Sequence, residues 1–146
     1  MVTVVDMMAN LSLLDIENES IAAIGVTSEK ILDLNRDQLY HGFDSEKTRL
    51  KKYRDPDYAE MKRGMNPNPG LGNPDLILTG AFVSSFQVDA DSSGLEIKAD
   101  DPNDLTGKYG DQIFGLDDEN QQYYNQEVFL PELASKIEDL TGLKII

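Results

Sequence analysis

The chain has no cysteine, one histidine and few cations: 13 Lys and Arg against 27 Asp and Glu, for a formal charge of −14. Without cysteine there are no disulfides, no thiolate metal sites and no thiol nucleophile. The single His41 follows an expected helix end, where an imidazolium suits the negative end of the helix dipole. A Gly-x-Ser-x-Gly elbow is missing, and a charge-relay triad needs histidine held between an acid and a nucleophile, so serine-hydrolase chemistry is not expected. Nothing approaches about 18 consecutive apolar residues, and Met1 to Asp6 resembles no basic leader, so neither membrane spanning nor secretion is expected. The acidic excess argues against gripping a phosphate backbone, because binding there draws on Lys and Arg.

What is present suits an ordinary folded domain. Of 146 residues, 40% are apolar and 27% charged, enough for one packed core under an acidic surface. The expected class is α+β, a small antiparallel sheet packed by N-terminal, central and C-terminal helices with a Pro/Gly-rich loop. A helical part covers 1–43, a charged arm and loop 44–75, and a sheet with a C-terminal helix 76–146.

Val4, Met7, Met8, Leu11 and Leu14 recur at helical spacing, which predicts a helix over about 4–16 that buries this stripe. Thr27 is placed to cap the next helix with its side-chain oxygen; Ile31, Leu34 and Leu39 mark that helix's buried face and Gly42 its stop. The charged stretch Asp44 to Tyr53 reads as an exposed hairpin or extended arm. Asp55-Pro56 reads as an N-cap followed by proline at the first helical position, with Gly64 as the end. Three of the six prolines fall within 65–75, so no periodic element survives there.

Leu76, Leu78, Phe82, Phe86 and Val88 sit at even spacing, which predicts a strand broken at Gly80 by a bulge or bend. A turn over Asp89 to Gly94 leads into Leu95, Ile97 and Ala99 facing inward, with Glu96 and Lys98 facing water, and the two runs form a hairpin. A short helix within Asp104 to Ile113 presents Tyr109. A last helix opens at Phe129-Leu130-Pro131, carries Leu133, Ile137 and Leu140 on one stripe, and ends at Gly142.

Two constellations resemble ligand sites on spacing alone. Asp89, Asp91, Ser93, Gly94 and Asp100 match the oxygen positions of a calcium loop, but the twelfth position is Asp rather than Glu and the flanks alternate as strands, so a polar hairpin turn is preferred. Gly70-Leu71-Gly72-Asn73-Pro74 lacks the third glycine and the lysine of the nucleotide fingerprints. Tyr123-Tyr124 reads as a partly buried aromatic pair on a helix, with a wet subunit interface as the other option. No catalytic residue, metal ligand or cofactor is assigned.

One ordered set of short motifs remains. Leu78, Thr79, Gly80, Phe82 and Ser85 precede the strand pair; Tyr109-Gly110 and Phe114-Gly115 follow it; Phe129-Leu130-Pro131 stands before the final helix. In order and spacing, over about residues 76–140, this set resembles the tail-completion and head-to-tail connector (neck) proteins of tailed bacteriophages, with the crAss-like phages as one possible group. The chain departs from that pattern in carrying Gly115-Leu116-Asp117 where Gly-Thr is common, and in being more acidic. The resemblance implies a non-enzymatic structural protein of the virion, assembled in the host cytoplasm. It would form a hexameric or dodecameric ring with copies of itself, contact portal, adaptor or tail proteins, and see DNA only as passing cargo. The strand edge, the loop and the charged arm are then the segments expected to reach a neighbour. The charge excess supports one alternative, an acidic DNA mimic that inhibits a nucleic-acid-binding protein, although the basic residues clustered from Lys47 to Arg63 weaken it.

Overall fold

The computed structural model describes residues 3–77 and 80–144. Its elements run α1 (Val4–Leu13), α2 (Ile16–Val26), α3 (Ser28–Tyr40), α4 (Pro56–Met65), α5 (Ala81–Ser84), β1 (Gln87–Asp91), β2 (Gly94–Lys98), α6 (Leu105–Tyr109), a 3-10 turn (Asp111–Ile113), α7 (Asp118–Tyr123), a π-helical turn (Tyr124–Phe129) and α8 (Leu130–Thr141). The α+β class is as expected. β1 and β2 form one antiparallel hairpin in the register Gln87 to Lys98, Val88 to Ile97 and Asp91 to Gly94.

The core gathers around α3. Ile31, Leu32 and Leu39 pack with Leu50, Val83, Phe86, Ile97, Ile113 and Tyr124. Burying each large apolar side chain is worth about 1.5–3 kcal/mol, so this cluster is the main favourable term, and it draws on segments spread along the chain. The sheet touches the helices mainly through β1, which lies against α2 and α3, while α8 lies against α1 and α2.

Local chemistry sets the helix ends. Thr3 and Asp6 form a capping box: Asp6 N–H donates to Thr3 Oγ1 at 3.1 Å and Thr3 N–H to Asp6 Oδ2 at 2.9 Å. Asp55 Oδ1 accepts the N–H of Asp57 at 2.9 Å ahead of Pro56, as expected. Helix α4 runs through Gly64 and ends one residue later, at Met65.

The structure corrects several expectations. The stripe on α1 is not buried: no residue of this helix is buried, and Met7 alone of its apolar residues is half-buried. Thr27 does not cap α3; its hydroxyl turns back to the Ala23 carbonyl of α2 at 2.8 Å and lies 2.7 Å from the Tyr124 hydroxyl. Residues 80–86 are not strand. Phe82 and Phe86 stand four apart, a separation that fits helical as well as extended spacing, and α5 occupies the stretch after Gly80, which is left-handed at φ 82°. Strand structure begins at Gln87. Leu78 and Thr79 lie outside the described residues.

The last helix does not open at Phe129-Leu130-Pro131. Helical structure is continuous from Asp118 to Thr141, and those three residues fall inside it. Proline has no N–H and its ring crowds the carbonyl four residues back. The widened π turn just before it, where Leu130 N–H donates to the Asn125 carbonyl, accommodates that conflict.

Of the two forms expected for the charged arm, the exposed hairpin is the one seen, with Glu46 to Arg49 exposed, and the proline-rich loop is tied back onto the body. Phe43 bridges Arg49, the Asp44 carboxylate accepts the N–H of Glu46 and of Thr48 at 2.9 Å each, and Leu50 is buried. Arg49 donates to the Pro69 carbonyl at 2.8 Å, and Asn66 Nδ2 to the Tyr40 carbonyl at 2.7 Å. Gly42, at φ 85°, is where loop and α3 meet: a Cβ there would stand 2.8 Å from Pro69 Cβ. Both segments are tied to the body at these points.

Candidate functional site

The residues singled out by the motif pattern fall into two groups. Phe82, Tyr109, Phe114 and Phe129 pack against the core. Phe82, Phe86 and Phe114 form an aromatic triangle with centroids 5.1, 5.5 and 6.1 Å apart, within the range of favourable edge and tilted contacts. Ser85 Oγ accepts the Asp100 N–H at 2.9 Å and donates to the Phe82 carbonyl at 2.6 Å, tying α5 to the end of the hairpin. Gly110 closes α6, its N–H donating to the Thr106 carbonyl at 2.8 Å. Among the described residues of the set, only Leu130 and Pro131 are exposed. Most of the motif therefore builds the interior rather than a surface.

Gly115 belongs to a feature the sequence did not reveal. On α3, Asn35 and Gln38 stand three apart, share a face and are both buried. Asn35 Nδ2 donates to the Ile113 carbonyl at 2.9 Å, and Asn35 Oδ1 accepts the Gly115 N–H at 3.1 Å. Gln38 Nε2 donates to the Gly115 carbonyl at 3.0 Å, and its Oε1 accepts from Asp117 N–H at 2.9 Å and Asn120 Nδ2 at 2.8 Å. The two amides thus bind residues 113, 115 and 117 of one extended segment as a neighbouring strand would. Asp117 then caps α7, accepting the Asn120 N–H at 2.8 Å.

A second polar cluster holds the proline-rich loop. Lys62 Nζ lies 2.7 Å from Asp75 Oδ1, with both side chains no more than 5% exposed. Asp75 Oδ2 accepts from Asn66 Nδ2 at 3.0 Å and Oδ1 from Ile77 N–H at 2.9 Å; Lys62 also donates to the Ile77 carbonyl. Tyr53 and Tyr58 meet edge-on at 4.9 Å. Burial, with a smaller contribution from the Asp75 charge, pushes the Tyr53 phenol above its ordinary value, and burial does the same at Tyr109. Because the pair's bonds all close on this loop and on α4, its evident role is to fix 66–77 in place.

The open surfaces lie elsewhere. Helix α1 turns Met7, Asn10 and Leu14 partly inward and leaves Val4, Val5 and Met8 at 70, 74 and 66% exposed. Its only charged residue is Asp6, which is used by the cap. The second surface is the outer edge of β2, exposed at Leu95, Glu96 and Lys98 on either side of the buried Ile97. It borders a groove of about 780 Å³ lined by Leu95 to Ala99 on one side and Phe114, Gly115 and Leu116 on the other. At the hairpin tip Asp91 is turned to its own turn, accepting from Ser93 N–H at 2.8 Å and Ser93 Oγ at 2.5 Å. Those bonds lower its carboxyl pKa, and Asp89 contacts Lys98 at 2.9 Å. These contacts fit a polar hairpin turn. Of the Tyr123-Tyr124 pair, Tyr124 is buried and Tyr123 is exposed beneath Lys30, 5.6 Å from the ring. No helix among the described residues is long and apolar enough to cross a membrane. No family model, curated protein or solved structure matches the chain.

Proposed function

We propose that this chain is a structural ring subunit of the head-to-tail connector, neck or tail of a tailed bacteriophage, acting in assembly and in the passage of DNA. The observation that carries this reading is the unburied apolar face of α1. A helix closed by a full capping box is specified to form, yet Val4, Val5 and Met8 remain in water in the isolated chain. Apolar surface of that kind on an otherwise acidic molecule suits contact with another protein. A neighbouring subunit is the natural partner, because a nearly uncharged helix is the part of a −14 chain that meets a second copy with least repulsion.

Ring closure requires head-to-tail contacts, in which one surface meets a different surface of the next copy. An acidic bore would let DNA slide past, since phosphates and carboxylates repel. Portal, adaptor or tail proteins are the further partners on this reading, and DNA is cargo rather than ligand. The reading is tested by imaging the purified chain alone and with candidate neck proteins, together with mass spectrometry of purified particles. Discrete rings and presence in the virion are expected. A monomer that binds tightly to a nuclease or repressor, and is absent from particles, would instead identify an acidic DNA mimic.

A further inference from the structure

We infer that the β2 edge is a self-pairing surface, through which two copies join in an antiparallel four-stranded sheet centred on Ile97. This goes beyond the ring reading and does not depend on it, because a two-fold pair is a different contact from the head-to-tail one that closes a ring.

The backbone supplies the first argument. In an antiparallel ladder, successive residues alternately bond across to the partner strand and turn their N–H and C=O outward. Counting from the Asp91 and Gly94 pair that flanks the two-residue turn, Gly94, Glu96 and Lys98 bond to β1. Leu95 and Ile97 therefore present their backbone groups on the outer edge, where the groove lies. β1 contacts α2 and α3 while the groove borders β2, so β2 is the edge offered to a further strand.

Side-chain charge selects the occupant and the register. Within the hairpin Glu96 stands directly opposite Asp89, a like-charge pairing that is unfavourable. Lys98 partly relieves it, at 2.9 Å from Asp89 and 3.8 Å from Glu96. A second β2 strand placed about a two-fold axis at Ile97 puts Lys98 of the other copy opposite Glu96, twice over. It also sets Leu95 opposite Ala99 and Ile97 opposite its own counterpart. The charged pairs then lie on the water face, and the apolar residues continue the core face. A two-fold axis at Glu96 or Lys98 would instead oppose identical charges. Of these three axes, the one at Ile97 alone pairs opposite charges.

Charge reversal and cross-linking test this on the full chain. In the M8E/L11E background, which removes the proposed ring contact on α1, sedimentation should give a dimer at micromolar concentration; adding E96K or K98E alone should weaken that dimer by about tenfold or more, while E96K/K98E together restore it. Since the chain has no native cysteine, E96C/K98C should oxidise to a covalent dimer whose mapped bonds join 96 of one copy to 98 of the other. All these side chains are exposed, so the variants should fold. A monomeric M8E/L11E protein, a dimer indifferent to both reversals, or a 96-to-96 cross-link would each overturn the inference.

Discussion

Gly115 donates its N–H to Asn35 Oδ1 across 80 positions of sequence, at 3.1 Å. That bond and its partners make α3 the scaffold for the segment leading to α7. Truncating Asn35 to Ala would strand the Ile113 carbonyl and the Gly115 N–H away from their partner. Asn35→Ala should lower stability by about 1–3 kcal/mol, the usual effect of leaving buried polar groups unsatisfied. Chemical denaturation measures the loss, and faster amide exchange at Gly115 would locate it. Unchanged stability and unchanged exchange would show that this clamp is dispensable.

The Lys62 and Asp75 pair makes a prediction of opposite character for single and double changes. Lys62→Met leaves a buried carboxylate uncompensated and should destabilise by about 3–5 kcal/mol. Lys62→Met with Asp75→Leu removes both charges and should be less destabilised than the Lys62→Met single, by a margin that a double-mutant cycle reads directly. Limited proteolysis of the single variant should cut within 66–77, the loop this pair holds.

Alkaline pH should unfold the protein through its tyrosines. Burial raises the phenols of Tyr53, Tyr109 and Tyr124 above the ordinary value of 10, with the Asp75 charge adding at Tyr53 and the Thr27 hydroxyl partly offsetting at Tyr124. A raised folded-state value means that the contribution is fully present below pH 10 and is lost as pH climbs through the folded values. Phenolate absorbance should show these tyrosines ionising late in the native protein and at ordinary pH in denaturant. Six tyrosines titrating together near pH 10 without unfolding would contradict this.

How much of this was legible depended on whether a signal was local. The Asp55-Pro56 cap and the hairpin were readable because a side chain next to its own backbone, or an alternation such as Glu96, Ile97 and Lys98, carries its meaning within a few residues; Leu95, expected to face inward, is instead 42% exposed near the hairpin tip. Phe82 and Phe86 misled because a four-residue separation satisfies both periods. The capping box of Thr3 and Asp6 also has a local signal, a Thr with an acid three residues later. Asn35 and Gln38 offered none: polar residues on a helix normally face water, and their partners lie near position 115. The α1 pattern stated that the helix has an apolar face but not what covers it, and no local pattern can.

That uncovered face is the point on which the functional account turns. The decisive measurement is the mass distribution and negative-stain image of the wild type beside M8E/L11E, two substitutions on a helix with no buried residue. The account predicts discrete rings for the wild type, and a variant that melts at the same temperature but no longer forms them. Rings that persist unchanged in M8E/L11E, or a wild type that forms none even with its candidate neck partners, would contradict it.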